Sequence, residues 1–408
     1  MKPSFFLFFL LSFIGFSQQT IDAVIVDSAD NVPLEFVGVY NSKDHTISNE
    51  DGRFQFSSLL DSIIIYRVGY DKLSTTFQKV KDTILLNKSV LELNEVTVTN
   101  EKTLWQKVGD SIRSNYPIYP YKEKFLLRGV LRYNGEITRI QDLQGKLERR
   151  TLLYTKEIDP DKKDFKVELT NMRKVGLVKD ENEVYFIFET FYQLFMNFTP
   201  MNATGDAFET FYQLFMNFTP MNATGDAFDL TEATFNNGSK TNLSFQTKPA
   251  IENEEVNGHY IINNNDHAIE RIYMAINNKD NPYKKDGNIR FRTVSIEKEM
   301  SLSKSSNTNK YYIATAKYDV KVEVTDDKNS YTSFYDVSFI LTTSDHEGDF
   351  PVKKNVSTSK DLFKIKYPYD QRYWNAQNQL LLTEEMLNFI DKVQDPNNEF
   401  KVRSNIKN

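Results

Sequence analysis

The histidines and carboxylates of this chain offer one spacing that could hold a metal ion. His267 and Glu270 have the H-x-x-E spacing at which a zinc site can take two of its ligands. The third ligand would have to be one of the remaining histidines, His45, His259 or His346. The segment is predicted to be a strand that follows a hairpin turn, and residues three apart on a strand point to opposite faces. We therefore predict no metal site, no zinc catalysis and no cofactor.

Other catalytic patterns are also missing from the sequence. Residues 159–164 begin like a calcium-binding loop but lack the glycine at its sixth position and the closing glutamate. The chain has no G-x-S-x-G, no phosphate-binding glycine loop and no H-E-x-x-H. It has no cysteine, so that disulfides, thiolate metal ligands and a cysteine nucleophile are excluded. No catalytic residue is predicted from these patterns.

The aromatic residues give a stronger signal, in a segment that occurs twice. Residues 189–208 recur without a single change as residues 209–228. In the first copy and just before it, aromatic residues fall at the spacing of one helix face: Phe188, Phe191, Tyr192, Phe195 and Phe198. Each copy therefore predicts an aromatic amphipathic helix. Their identity indicates a recent duplication or an assembly error, and we expect one packed helix and one displaced copy.

Long strands are predicted after this segment, and the aromatic helix would have to pack on the sheet that they form. Residues 258–263 and 268–276, joined by a polar turn, predict a hairpin. Between Tyr312 and Val324 every even position is apolar or aromatic, which is typical of a half-buried strand. Residues 289–302 and 331–343 are predicted to be its neighbours. Because strands of this length twist, we expect one face of the resulting antiparallel sheet to be concave.

An aromatic helix over the concave face of a sheet is similar in architecture to periplasmic lipoprotein carriers, whose cavity holds acyl chains. On that resemblance, the candidate ligand-binding residues are Phe191, Phe195, Phe198, Tyr312 and Tyr318. The alternative interpretation is that these aromatic side chains are ordinary core. The expected partner is an envelope protein or a lipid-like ligand. The net charge of −6 gives no reason to expect nucleic acid.

The first residues predict export. Lys2 provides a basic start, residues 5–16 an apolar stretch, and residues 15–17 a small-x-small cleavage site before Gln18. This twelve-residue stretch is too short to span a bilayer, and no later stretch is predicted to be a transmembrane helix. We expect a mature protein that begins near Gln18 and lies in the periplasm or on the periplasmic face of the outer membrane.

Short strands and turns follow the signal. Residues 33–39 (PLEFVGV), 48–54 (SNEDGRF) and 68–70 (VGY) resemble the carboxypeptidase-regulatory-like domain. The resemblance covers about residues 19–99 and implies a seven-stranded, transthyretin-like β-sandwich that is common in Gram-negative envelope proteins. It departs from the pattern at Ala23, where glycine is usual, and at positions 48–49, where Thr-Asp is usual. Residues 93–99 resemble the closing strand. The family is an accessory module and implies no chemistry of its own.

The predicted fold is mainly β or α+β: a seven-stranded sandwich, then a larger curved antiparallel sheet with a few helices. Residues 102–114 predict a short helix that ends before Pro117, and residues 384–393 a helix with Thr383 as N-cap. The predicted divisions are a signal (1–17), a sandwich (18–99), a helical linker (100–121), a sheet domain (122–395) and a polar tail (396–408). The predicted function is non-catalytic binding by an exported envelope protein, and the alternative is a peptidase-like envelope hydrolase whose site is scattered over strands.

Overall fold

The structure is a computed structural model, which describes residues 18–89, 91–93, 104–149, 154–155, 165–178, 189–197, 202–203, 228–248, 255–277, 282–328, 330–377, 380–394 and 401–406. The chain divides into two compact units. The first comprises residues up to Lys88 together with 378–383, and the second comprises Ser89–Gln377 and Glu384–Asn408.

The first unit is a small sandwich of two sheets. Its strands are β1 (Gln19–Asp27), β2 (Gly38–Tyr40), β3 (His45–Ile47), β4 (Arg53–Ser58), β5 (Ser62–Tyr66), β6 (Leu73–Thr76) and β7 (Thr83–Leu86). One sheet has the order β4-β1-β7 and the other β3-β2-β5-β6. Ile25 and Phe54 from the first sheet share a buried core with Val39 and Ile65 from the second. The predicted seven-stranded N-terminal sandwich is confirmed.

The turn between β3 and β4 shows why its sequence is so specific. The Asn49 side-chain oxygen accepts hydrogen bonds from the backbone N–H groups of Asp51 (3.1 Å) and Arg53 (2.9 Å). Gly52 has φ of +71°, and a Cβ there would lie 2.4 Å from the carbonyl oxygen of Ile25. Only glycine accepts both this conformation and this approach. The turn sends Phe54 and Phe56 into the core on alternate positions.

The second unit is built on one large antiparallel sheet. Its strands are β8 (Leu91–Leu93), β9 (Tyr121–Tyr133), β10 (Glu136–Arg149), β12 (Phe165–Val178), β14 (Phe228–Phe235), β15 (Lys240–Thr247), β16 (Glu255–Asn263), β17 (Ala268–Asn277), β18 (Lys284–Asp286), β19 (Ile289–Lys304), β20 (Tyr311–Asp326), β21 (Tyr331–Ser344) and β22 (Lys401–Ser404). Their order is β22-β12-β10-β9-β21-β20-β19-β17-β16-β15-β14-β8, and β18 pairs with β19. A separate parallel pair joins β11 (Tyr154–Thr155) and β13 (Asn202–Ala203).

The two faces of this sheet differ in chemistry. One register row crosses nine strands with apolar side chains: Leu243, Tyr260, Ile272, Met300, Ala316, Leu341, Leu127, Leu143 and Met172. We call this side the apolar face. The adjacent row points the other way because side chains alternate along a strand. It is mostly polar and contains Ser244, His259, Tyr273, Glu299, Lys317, Ile340, Arg128, Asp142 and Arg173. We call that side the polar face.

In the described part of the chain, the helices that accompany the sheet are α1 (Leu104–Asn115), α2 (Phe191–Asn197), α3 (Gln371–Ala376) and α4 (Glu384–Gln394). From α1, Val108 and Ile112 join the core of the apolar face, as do Phe191, Leu194 and Phe195 from α2. The core is completed by Leu362, Phe363 and Ile365, from the segment that follows β21. The predicted mainly β class with a large antiparallel sheet and few helices is thus confirmed.

Several of the finer predictions concern residues that the structure describes only in part. Leu93, the first residue of the segment expected to close the sandwich, pairs instead with Ala233 in the large sheet. Residues 94–99 lie outside the described residues, as do the side chain of Trp105, the calcium-like loop 159–164 and most of the second copy, 209–227. From that copy the structure describes Phe228, which begins β14 and pairs with Thr247.

Candidate functional site

Charged residues, among them Glu123, Arg149 and Lys298, occupy positions on the apolar face where the alternation of the strands calls for apolar side chains. Glu123 lies between Tyr121 and Phe125 on the inward positions of β9. Arg149 follows Leu147 at the end of β10, and Lys298 lies between inward-facing neighbours on β19. A charged group is expensive to bury unless it is paired and hydrogen-bonded. These three positions therefore mark the candidate site.

Arg149 and Glu123 form a fully buried ion pair. The Nε of Arg149 donates to Oε1 of Glu123 at 2.7 Å, and both side chains have 0% exposure. The pair leaves several groups without a hydrogen-bond partner: both terminal nitrogens of Arg149, Oε2 of Glu123 and the hydroxyl of Tyr121. Tyr121 is the register partner of Arg149. We call Tyr121, Glu123, Arg149 and the neighbouring His346 the Arg149 site.

Two phenyl rings contact the Arg149 guanidinium. It lies 5.6 Å from the ring centre of Phe165 and 5.3 Å from that of Phe195, distances at which cation–π attraction operates. Phe125 contacts Phe191 and Phe195 edge to face, at 6.2 and 6.0 Å. The aromatic helix α2 therefore forms one wall of the Arg149 site.

The start of α2 follows from its sequence. Thr190 and Gln193 form a capping box, in which the Thr190 hydroxyl accepts from the Gln193 N–H at 3.1 Å. In return, the Gln193 side-chain oxygen accepts from the Thr190 N–H at 3.2 Å. The box begins the helix so that Phe191 and Phe195, four residues apart, point to the same side. Both side chains are fully buried.

His346 closes the other side of the Arg149 site. Its Nε2 lies 3.7 Å from Oε2 of Glu123 and 3.0 Å from the carbonyl oxygen of Ile313. Tyr312 stacks on the imidazole at 4.7 Å between ring centres and meets Tyr121 edge to face at 5.1 Å. Burial lowers the pKa of His346, although Glu123 partly offsets this. The imidazole is therefore neutral near pH 7.

Electrostatics keep the Arg149 guanidinium charged. Burial opposes the charge on Arg149, but Glu123 and Tyr121 raise the pKa of the guanidinium above its ordinary value. Burial also raises the pKa of the Tyr121 hydroxyl, so the phenol stays protonated and can donate. The Arg149 site thus combines one positive and one negative charge with unused hydrogen-bonding capacity of both kinds.

A second polar group lies on the same face, directly before α2. Burial raises the pKa of Glu189 to about 7, Lys298 lowers it and Asp361 raises it further. Oε2 of Glu189 is buried without a hydrogen-bond partner. Burial lowers the pKa of Lys298, whose Nζ lies 5.3 Å from the ring centre of Tyr318. We call Glu189, Lys298 and Tyr318 the Glu189 site.

The residues proposed from the sequence divide between these two sites. Phe191, Phe195 and Tyr312 have 0% exposure and lie around the Arg149 site, while Tyr318, at 6%, belongs to the Glu189 site. Phe198 lies outside the described residues. All four described side chains are part of the core, which fits the alternative interpretation of them as core residues as well as it fits ligand contact.

The polar residues of both sites were missed by the sequence interpretation. A signal for them exists, since Glu123, Arg149 and Lys298 each break the period-two pattern of a strand on its inward side. Glu189 offers no such signal because it precedes a short helix whose placement depends on the rest of the fold.

The H-x-x-E pair is placed in two different environments. His267 lies in the turn before β17, with a left-handed φ of +57°. Glu270 lies within β17 and pairs with Lys240 at 2.5 Å, while Asn263 also donates to it at 2.9 Å. Within the described part of the chain, no group of three or more histidine, cysteine or acidic side chains could hold a metal ion.

Comparisons with known proteins establish no family. No protein-family description and no curated protein matches the chain. One solved structure, concerned with lipid–protein interactions in lipovitellin, is 10% identical, with a TM-score of 0.22 over 66% of this chain and 29% of that chain. A mutant porin of Rh. blastica is 8% identical over 55% of this chain and all of the porin, with a TM-score of 0.10. Scores this low do not indicate a shared fold.

None of the helices in the described ranges is long and apolar enough to cross a membrane.

Proposed function

We propose that this chain is an exported, non-catalytic envelope protein that binds a lipid-like amphiphile on the apolar face of its large sheet. In this proposal the N-terminal sandwich is an accessory module of the carboxypeptidase-regulatory-like kind. Its seven strands in two sheets with one core are what that resemblance implies, and they support the proposal.

The observation that carries the proposal is the unused hydrogen-bonding capacity of the Arg149 site. Leaving a buried polar group without a partner costs about 1–3 kcal/mol, and more for a charged group. Arg149 has two such nitrogens, and among the described residues it is the only side chain with two. A ligand that accepts hydrogen bonds from these two nitrogens would offset that cost and would explain why an arginine is buried at this position.

The surroundings indicate which kind of ligand this is. The unpartnered groups are buried below the surface, so a protein partner docking on the outside could not reach them. The phenyl rings of Phe165 and Phe195 lie over the guanidinium, and Phe125 and Phe191 pack against Phe195, so that the surroundings suit an acyl chain. A molecule with a small polar head and an apolar chain satisfies both features.

Binding is tested with a fluorescent single-chain lipid titrated into the purified mature protein. We expect saturable binding with one lipid per chain, weakened at least tenfold in Arg149→Met because charge-assisted hydrogen bonds are lost. Arg132→Gln is the matched control, since Arg132 lies on the polar face of β9 and pairs with Glu385 at 2.6 Å. No saturable binding, or equal binding by Arg149→Met, would contradict the proposal.

Export is tested separately by fractionation and N-terminal sequencing. The mature chain is expected to begin near Gln18 and to be found with the periplasm or the outer membrane. Cytoplasmic protein that retains Met1 would contradict this part of the proposal.

A further inference from the structure

The charges of the Arg149 site sum to zero before any ligand is bound. Arg149 contributes one positive charge and Glu123 one negative charge, in contact at 2.7 Å. His346 Nε2 lies 3.0 Å from the carbonyl oxygen of Ile313, to which it donates, and burial lowers the pKa of the ring so that it is neutral near pH 7. The Tyr121 phenol is neutral as well. A ligand with a net charge would therefore leave that charge uncompensated in the core.

The groups without a hydrogen-bond partner also include both donors and an acceptor. The two terminal nitrogens of Arg149 and the Tyr121 hydroxyl can donate, while Oε2 of Glu123 can only accept. A head group that only accepts would leave the Glu123 oxygen without a donor. A head group that accepts and donates would satisfy the whole site.

We infer that the ligand is a single-chain lipid with a net-neutral head group that accepts hydrogen bonds from Arg149 and donates one to Glu123. The inference rests on the proposed lipid-binding function. Zwitterionic heads with an anionic oxygen group and an ammonium have this chemistry, and so do uncharged heads with several hydroxyls. A fatty-acid carboxylate does not, because it would sit on the same guanidinium as a second carboxylate.

The polar face of the same strands shows what an ionised carboxylate receives when this fold buries it. Asp142 has 0% exposure and is contacted by two guanidinium groups, those of Arg128 and Arg173. Burial raises its pKa, but the two arginines hold that pKa below the ordinary value. At the Arg149 site two carboxylates would share one arginine, and like charges that close disfavour ionisation of both.

The test compares three lipids with the same acyl chain at pH 8 by titration calorimetry: a lysophosphatidylethanolamine, a monoacylglycerol and the free fatty acid. At least one of the two net-neutral lipids is expected to bind at least tenfold more tightly than the fatty acid. Which of the two binds more tightly identifies the donor as an ammonium or a hydroxyl. This comparison uses the unaltered protein and does not depend on the folding of any variant.

Glu123→Gln sharpens the test because it keeps the shape of the side chain and removes its negative charge. The site then carries a net positive charge, and the fatty acid is expected to gain at least tenfold in affinity while the net-neutral lipids do not gain. Arg132→Gln again serves as the control that leaves the preference unchanged.

Two kinds of failure are distinguishable. If none of the three lipids binds the unaltered protein, the proposed function fails. If the fatty acid binds as tightly as both net-neutral lipids, or if Glu123→Gln folds without improving fatty-acid binding, the head-group inference is overturned while lipid binding stands.

Discussion

Two buried arginine–carboxylate groups join the same strands, β9 and β10, on opposite faces of the large sheet. On the polar face, Arg128 donates to Asp142 through Nε at 2.8 Å and through a terminal nitrogen at 3.2 Å. Arg173 donates to the same carboxylate and lies 4.7 Å from the ring centre of Trp374. On the apolar face, Arg149 uses only Nε, and its two terminal nitrogens have no partner.

The difference separates a structural role from a binding role. Burying either group costs desolvation free energy, and this cost is offset only when the remaining hydrogen bonds are made. The Asp142 carboxylate accepts hydrogen bonds from two guanidinium groups. In the Arg149 site, by contrast, both Arg149 and Glu123 keep atoms that have no hydrogen-bond partner. Buried polar groups with a structural role normally have hydrogen-bond partners. Buried groups that lack a partner therefore indicate a functional site.

The largest effect is expected from breaking the polar-face group. Asp142→Asn removes the negative charge that compensates the buried Arg128 and the partly buried Arg173. The free energy of unfolding should fall by about 3–5 kcal/mol, as measured by urea denaturation. Lipid binding by the folded fraction should be unchanged. A loss below about 1 kcal/mol would show that the group is not structural.

A second effect is expected from the Glu189 site, the other incompletely satisfied group on the apolar face. The pKa of Glu189 is about 7 in the folded chain and 4.5 as an unperturbed group. The folded state therefore holds the proton more tightly, and the resulting stability is present below pH 4.5 and is lost as the pH rises through 7. The difference corresponds to about 3 kcal/mol.

Glu189→Gln tests this by removing the titrating group. The free energy of unfolding of the variant, relative to the unaltered protein, should increase between pH 5 and pH 8 by up to about 3 kcal/mol. Lys298, Asp361 and Tyr318 are present in both proteins, so their own contributions to the pH dependence of unfolding cancel to first order in this difference. A difference that stays constant with pH would contradict the assignment.

The smallest effect is expected from deleting residues 209–228, the second copy of the aromatic segment. The deletion joins Phe208 to Asp229, so an identical phenylalanine replaces Phe228 opposite Thr247 at the start of β14. One copy of the helix sequence remains to cover the apolar face. The free energy of unfolding should not fall by more than about 0.5 kcal/mol, or should rise. A loss of several kcal/mol would mean that both copies are packed.

Local features of this fold could be predicted from the sequence because local interactions fix them. The Asn49–Gly52 turn follows from side-chain capping and a left-handed glycine. The hairpin of β16 and β17 and the long alternating strand β20 follow from the pattern of apolar residues. Helix α1 was predicted from its apolar spacing and its stop signal, and α4 from its N-cap, the acidic residues of its first turn and the proline beyond its end.

The sheet order and the Arg149 site could not be predicted in the same way. The pairing of β9 with β21 brings Leu131 opposite Val337, about two hundred residues away, and no local pattern specifies that choice. The inward charges of Glu123 and Arg149 were visible as breaks in alternation, but their pairing depends on the register of β9 with β10. His346 and Phe195 come from distant segments and join only in the folded sheet.

The central claim is that the Arg149 site is retained for a ligand at a cost in stability. The most direct measurement is the double variant Glu123→Leu with Arg149→Met, compared with the unaltered protein for urea unfolding and for lipid binding. Replacing an incompletely satisfied buried pair by apolar side chains should raise the free energy of unfolding by about 1–4 kcal/mol. Lipid affinity should fall at least tenfold in the same protein. Unchanged affinity, or a loss of stability comparable to that of Asp142→Asn, would contradict the claim.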